Sequence, residues 1–187
     1  MDVTVSADDL AKSARAAGKK GLPPVDKWDP PFCGDLDMRI ARDGTWFYLG
    51  TPIGRPALVR LFSTILRKDG EDYFLVTPVE KVGITVDDAP FVAVDFDETD
   101  EGLVFTTNVG DTALAGPDHP IRVERDPETG EPSPYILIRR NLEALIDRKS
   151  FYRLVDIGET NEHEGADWFG LWSAGVFFPV IPAAELP

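Results

Sequence analysis

Cysteine and histidine are scarce in this chain of 187 residues, which has one of the first and two of the second. The lone Cys33 has no intramolecular disulfide partner, and it rules out any zinc site that needs several thiolates. The setting expected is therefore reducing and cytoplasmic. Any histidine-dependent chemistry must run through His119 or His163. Glu162-His163-Glu164 is not a zinc-protease signature, because Asp167 stands where the second histidine belongs. His119-Pro120 reads as a structural histidine at a turn. No G-x-S-x-G elbow is present, and nothing in the sequence beside Cys33 marks it as a nucleophile.

Positive charge is also in short supply. Against 33 Asp and Glu stand 19 Lys and Arg, a formal net charge of -14. Such a surface repels polyanions, which argues against nucleic acid and anionic membranes as partners. A small anion is still accommodated where a few arginines or helix N-termini converge, and a basic protein suits the surface as a whole. Long apolar runs are missing, so no segment has the length a bilayer requires. Met1-Asp2-Val3-Thr4-Val5 lacks the basic and apolar regions of a secretory leader. Phosphate loops are missing too: Gly18-Lys19-Lys20-Gly21 has neither the spacing nor the preceding strand of one. The acidic run from Asp95 to Glu101 has Asp100 where a calcium loop needs glycine and Thr106 where it needs glutamate, so it reads as a solvated hairpin turn.

What is present is a chain with 43% hydrophobic residues, enough for a real core. Ala7 to Ala17 predict a short peripheral helix capped by Ser6 and stopped by Gly18. The prolines from Pro23 to Pro31 predict an extended wrap, pinned by Trp28. Leu36, Met38 and Ile40 alternate with Asp37 and Arg39 in a half-buried strand, and Asp43-Gly44 turns it into Thr45–Leu49. Leu58, Leu61, Phe62, Ile65 and Leu66 predict a helix that ends with Arg67 and Lys68 and stops at Gly70. Tyr73–Val76, Val82–Ile84, and a hairpin of Phe91–Phe96 with Leu103–Thr107 follow as strands.

The second half repeats this order. Met38-Arg39-Ile40-Ala41-Arg42-Asp43 aligns with Ile121-Arg122-Val123-Glu124-Arg125-Asp126, and Tyr135–Ile138 takes the place of Trp46–Leu49. A helix is then expected from Asn141 through Leu142, Leu145 and Ile146, a strand over Phe151–Val155, and another over Gly175–Phe178. The fold class expected is α+β: two mainly antiparallel β units related by an internal repeat of hairpin, helix, strand and hairpin, with a cleft between them. The boundaries are residues 1–34 for the helix and wrap, 35–112 for the first unit and 113–187 for the second.

Candidate site residues follow from this layout. Thr51 is positioned to cap a helix with Pro52 at its first turn, and Arg55 adds charge to an end already suited to an anion. Arg139, Arg140 and Asn141 occupy the matching place in the second half. Glu80 and Lys81 lie on a loop leaving a strand. Trp46 and Tyr48 share a strand face and are placed to stack on a planar ligand. Asp35 and Asp37 present carboxylates on the polar face of their strand.

Pro31-Phe32-Cys33-Gly34-Asp35, Asp43-Gly44-Thr45-Trp46-Phe47-Tyr48, Thr51-Pro52-Ile53 with Arg55, Leu75 through Lys81, and Thr107-Asn108-Val109-Gly110-Asp111 together resemble the bacterial domain of unknown function 1285 family. The resemblance runs from about Pro23 to Pro182. It implies two mainly β domains with a repeated motif, a cleft holding a nucleotide-like ligand and a signalling role, but no established activity. Carried over residue by residue, it nominates Asp35, Trp46, Tyr48, Thr51, Arg55, Lys81, Asn108 and Asp111, and the internal repeat adds Arg139 and Arg140. The leading expectation is a binding module for a small anionic, nucleotide-like ligand, with Arg55 and Lys81 on phosphate. The alternatives are a metal-dependent hydrolase using Asp35, Asp37 or Asp111, and an acidic protein-interaction module.

Overall fold

Two compact units, Met1–Asp88 and Ala89–Pro187, make up the chain in a computed structural model that describes residues 5–18 and 21–187. Met1 to Thr4 and the lysine pair of Gly18–Gly21 lie outside the described residues. The division falls earlier than the expected 112/113 boundary. The reason is pairing: the hairpin after Ala89 bonds to strands that come later in the chain, not to those before it.

In the first unit α1 (Ala7–Ala17) starts at a reciprocal capping box between Ser6 and Asp9, as its sequence predicts. The proline-rich wrap makes one short turn at Val25–Lys27. Its anchor runs through its own backbone. Arg67 Nη1 donates to the carbonyls of Val25 and Trp28, both at 2.8 Å. A meander follows of β1 (Phe32–Ile40), β2 (Trp46–Tyr48) and β3 (Thr51–Pro52), then α2 (Pro56–Thr64), then a second meander of β4 (Leu66–Asp69), β5 (Asp72–Val76) and β6 (Lys81–Val86). They form one sheet in the order β3-β2-β1-β6-β5-β4, antiparallel except for the central pair β1–β6.

Helix α2 is shorter than its apolar spacing suggests. Ser63 and Thr64 hydroxyls bond back to the carbonyls of Arg60 and Leu61, both at 2.6 Å, which offers the backbone an alternative to continuing the helix. Leu66 pairs instead with Leu75, so Arg67 and Lys68 belong to a strand and Gly70, at φ 61°, to its turn. The helix also begins later than expected. Thr51 and Pro52 fold back on Tyr48 and Phe47 after a turn in which Leu49 and Gly50 both have positive φ, and the N-cap is Arg55 with Pro56 as first residue.

The second unit contains β7 (Phe91–Thr99), β8 (Gly102–Thr107), β9 (Thr112–Leu114), β10 (Ile121–Arg125), β11 (Pro132–Arg139) and β12 (Leu142–Ile146) in the order β10-β11-β12-β7-β8-β9, then α3 (Arg148–Ile157) and an antiparallel sheet of β13 (Glu159–His163), β14 (Ala166–Ser173) and β15 (Val176–Pro182). The acidic hairpin turn is tight, because Asp97, Glu98 and Thr99 pair within the ladder. The segment 115–120 must cross from one sheet edge to the other. Six residues reach about 20 Å at most, so the sheet curls until β9 approaches β11.

Two elements of the second unit exchange type relative to expectation. Leu142, Ala144 and Ile146 are buried and alternate with half-buried Glu143 and Leu145, so the helix expected there is strand β12. The strand expected over Phe151–Val155 is α3. Asp147 caps it by accepting from Ser150 N at 2.9 Å, and Ser150 and Leu154, four residues apart, are its buried face.

The internal repeat exists, but in another register. The β1–β3 meander matches β7–β9 and the β4–β6 meander matches β10–β12, each unit closing through one parallel pair, β1–β6 or β12–β7. Equivalent hydrogen bonds fix the correspondence. Asp87 N donates to Ile40 O and Asp147 N to Ala93 O, both at 3.0 Å; Val76 N donates to Ile65 O at 2.9 Å and Leu137 N to Pro120 O at 3.1 Å. Arg122 therefore answers to Arg67, not to Arg39. Outside the matched strands the copies differ: α2 lies between the meanders of the first unit, whereas α3 follows those of the second.

Candidate functional site

Gly83 sits at the middle of β6 with Asp35 of β1 on one side and Phe74 of β5 on the other. A Cβ at this position would stand 2.2 Å from Asp35 Oδ1, so the carboxylate occupies the space a side chain would take. One register step along, Phe32 pairs with Lys81. Lys81 Nζ lies 4.1 Å from the centroid of the Phe74 ring, and Phe32 meets that ring edge-on at 6.0 Å. With Tyr73 and Asp72 these residues line a concavity of about 410 Å³ on the first unit. Phe32 is 57% exposed there, an aromatic face left to solvent.

The electrostatics of this hollow are mixed. Lys81 Nζ is 3.0 Å from Asp69 Oδ2, and the same carboxylate takes a two-point contact from Arg67 Nε and Nη2, each at 3.0 Å. Burial pushes the Asp69 carboxyl up, but the Arg67 and Lys81 hydrogen bonds outweigh it, and its pKa falls below the usual carboxylate value. Asp35 and Asp72 leave the lining with more acceptor than donor capacity. Planar groups bearing N–H donors suit such a lining better than a polyphosphate does.

Of the residues nominated from sequence, Asp35 and Lys81 come together here and the others do not. Trp46 is 1% exposed and stacks on Phe62 in the core, ring centroids 6.3 Å apart, so it is not a ligand platform. The Tyr48 hydroxyl accepts from Ala7 N at 3.4 Å and ties α1 to the sheet. Thr51 is an exposed residue of the edge strand β3, and Arg55 is an exposed N-cap that does not line the hollow. Phe32, Phe74 and Gly83 were missed. The available signal was the isolated glycine in Val82-Gly83-Ile84, which marks close approach within a strand.

The second unit gathers the remaining nominees for structural work. Asn108 Oδ1 accepts from Val92 N at 3.0 Å, beside an irregularity in the β7–β8 ladder. Asp111 Oδ2 lies 3.2 Å from Arg139 Nη2, and the Arg139 guanidinium covers the Phe91 ring at 4.9 Å. Arg139 is not at a helix start: it ends β11, and Arg140, at φ 51°, turns the chain into β12. The two anion-ready helix ends expected from the repeat are therefore one helix and one hairpin. Burial holds the Arg139 pKa down, Asp111 pulls it back up, and Arg140 lowers it further. Among the described residues Arg139 Nε and Nη1 have no hydrogen-bond partner, so Asp111 is its charge partner in a largely buried contact, of the kind that costs about 3–5 kcal/mol when one member is removed. His119 is structural, its Nδ1 2.9 Å from Leu137 O. Among the described residues, no three His, Cys, Asp or Glu side chains form a group that could hold a metal ion, and no helix is long and apolar enough to cross a membrane.

Similarity to other proteins follows the same two-unit division. Residues 23–89 match the N-terminal domain, and residues 90–180 the C-terminal domain, of the domain of unknown function DUF1285. No curated protein matches the chain. A crystal structure of a DUF1285 family protein from Silicibacter pomeroyi DSS-3 is similar at 62% identity with a TM-score of 0.85, over 96% of this chain and 98% of that one. A second, from Shewanella baltica OS155, is 30% identical with a TM-score of 0.53, over 65% of this chain and 91% of that one. With both halves matched in order and a near-full-length relative sharing its fold, the chain belongs to the DUF1285 family.

Proposed function

We propose that the protein is a small-ligand-binding module whose site is the hollow on β1, β5 and β6, and whose ligand is a nucleobase-like ring carrying one anionic or carbonyl substituent. The convergence of Asp35 and Lys81 on one aromatic-lined concavity supports this reading. The exposed Phe32 ring stacks on the base, Asp35 accepts from its N–H groups, and Lys81 meets the substituent. A mononucleotide is at the upper limit of charge, because Lys81, the one lining cation among the described residues, already has Asp69 as partner. Such a module senses its ligand without transforming it, which is the form a signalling role takes here.

The test is a thermal-shift and ligand-observed NMR series with nucleobases, nucleosides and mononucleotides. At millimolar ligand the wild type gains melting temperature, whereas Asp35→Asn and Lys81→Met keep their fold and lose most of the gain. Absence of any shift with all three ligand classes, or a shift that survives both substitutions, overturns the proposal.

A further inference from the structure

A second hollow, of about 280 Å³, lies within the second unit, where α3 gives way to β13 and the three-stranded sheet meets β7 and β8. Its walls are Leu103, Leu171 and Ile157, its face is Trp172, and its acidic members are Glu98 and Glu159. Each is placed by a specific device. Ser173, 3% exposed, accepts from Leu103 N at 2.8 Å and donates to Ala115 O at 2.7 Å, which binds β14 to β8 and sets Trp172 beside Leu103. Glu98 is the ladder partner of Leu103. Gly158 ends α3 where a Cβ would stand 2.3 Å from Phe169 Cζ; that contact brings Ile157 and Glu159 to the rim. Trp172 is 45% exposed, yet Phe177 braces it with ring centroids 5.3 Å apart.

The two glutamates set the chemistry. Nearby, Asp95 pairs with Arg153. Glu98 and Glu159 form no side-chain hydrogen bond or ion pair among the described residues. Unpaired carboxylates beside an exposed indole and the Leu103, Ile157 and Leu171 side chains complement a cation that carries an apolar body. A bare metal ion does not fit, since it requires several oxygen ligands and the lining offers two carboxylates. We propose that this hollow is a binding site for a small free organic cation, an alkylammonium or alkylguanidinium whose hydrocarbon body lies on Trp172 and Leu171 and whose charged head meets Glu98 and Glu159.

The probe is n-butylammonium, with 1-butanol as its neutral counterpart, titrated while the Trp172 indole N–H resonance is followed by NMR. Wild-type protein shows saturable shifts with the amine, and apparent affinity falls about tenfold or more for 1-butanol and for Glu98→Gln/Glu159→Gln. The Gln variants are isosteric at exposed positions, and an unchanged amide spectrum away from the hollow verifies their fold. Trp172→Leu, followed through the Leu171 amide, also weakens the amine. No saturable shift at tens of millimolar amine, equal responses to amine and alcohol, or undiminished binding by the double Gln variant overturns the assignment.

Discussion

At the scale of single residues, charge in this protein is organised around a few arginines that hold backbone as well as carboxylate. Arg67 takes two carbonyls of the proline-rich wrap and both oxygens of Asp69. Arg122 answers to Arg67 by register, and it bonds Glu124 and Glu143. Asp69, two residues on from Arg67, thus corresponds to Glu124, while Lys81 corresponds to Glu143, so the sign of one member is inverted between the copies. The depressed pKa of Asp69 has a direct thermodynamic reading. A carboxyl whose folded pKa lies below its unfolded value stabilises the fold above the unfolded pKa, and that contribution disappears as pH falls through the folded one. Asp69→Asn is therefore expected to melt below the wild type at neutral pH, with the gap closing as pH drops below about 4. A gap that stays constant down to acid pH would show that Asp69 contributes nothing through its charge.

At the scale of elements, the places where sequence pattern and structure part company share one cause. Leu142, Leu145 and Ile146 satisfy a helical spacing, while Leu142, Ala144 and Ile146 satisfy a strand spacing equally well. Local pattern has no means of choosing between them. The choice is made by partners: β11 on one side and β7 on the other give β12 a complete ladder. Across Phe151–Val155 the β-branched and aromatic composition favours a strand, yet Asp147 provides a cap and Ser150 and Leu154 a buried stripe. Asp147→Ala leaves the first turn of α3 short of an acceptor and is expected to destabilise the protein by about 1 kcal/mol, read from denaturant midpoints. An unchanged midpoint would mean that tertiary packing alone holds α3. Capping by Ser6, in contrast, was legible, because Ser6 and Asp9 satisfy each other within four residues.

At the scale of the whole molecule, each unit is a pair of meanders closed through a central parallel strand pair. The boundary follows from that closure. β7 is the partner of β12, so a division after residue 112 would remove β7 and β8 from their sheet and cut through β9. Residues 89–187 expressed alone are expected to melt cooperatively, and residues 113–187 alone to show no cooperative transition, when both are followed by far-UV circular dichroism. A cooperative shorter fragment, or an unfolded longer one, would contradict the division at Asp88.

What the sequence determined by itself was whatever depends on neighbours along the chain or on bulk composition. The scarcity of cysteine and the charge of -14, the capped first helix, the alternation of β1, the existence of a duplicated plan and the family resemblance are all of this kind. Asp35 was nominated from the polar face of its strand and Lys81 from a loop leaving one, with the family resemblance naming both; Lys81 in fact begins β6. Tertiary structure decided the rest. Trp46 turned inward because Phe62 of α2 covers it, Arg139 was buried against Phe91 and Asp111, and the register of the repeat was set by hydrogen bonds between different strands and their flanks. Both hollows depend on glycines, Gly83 beside Asp35 and Gly158 against Phe169, whose missing side chains matter only once another strand has come close enough to need the space.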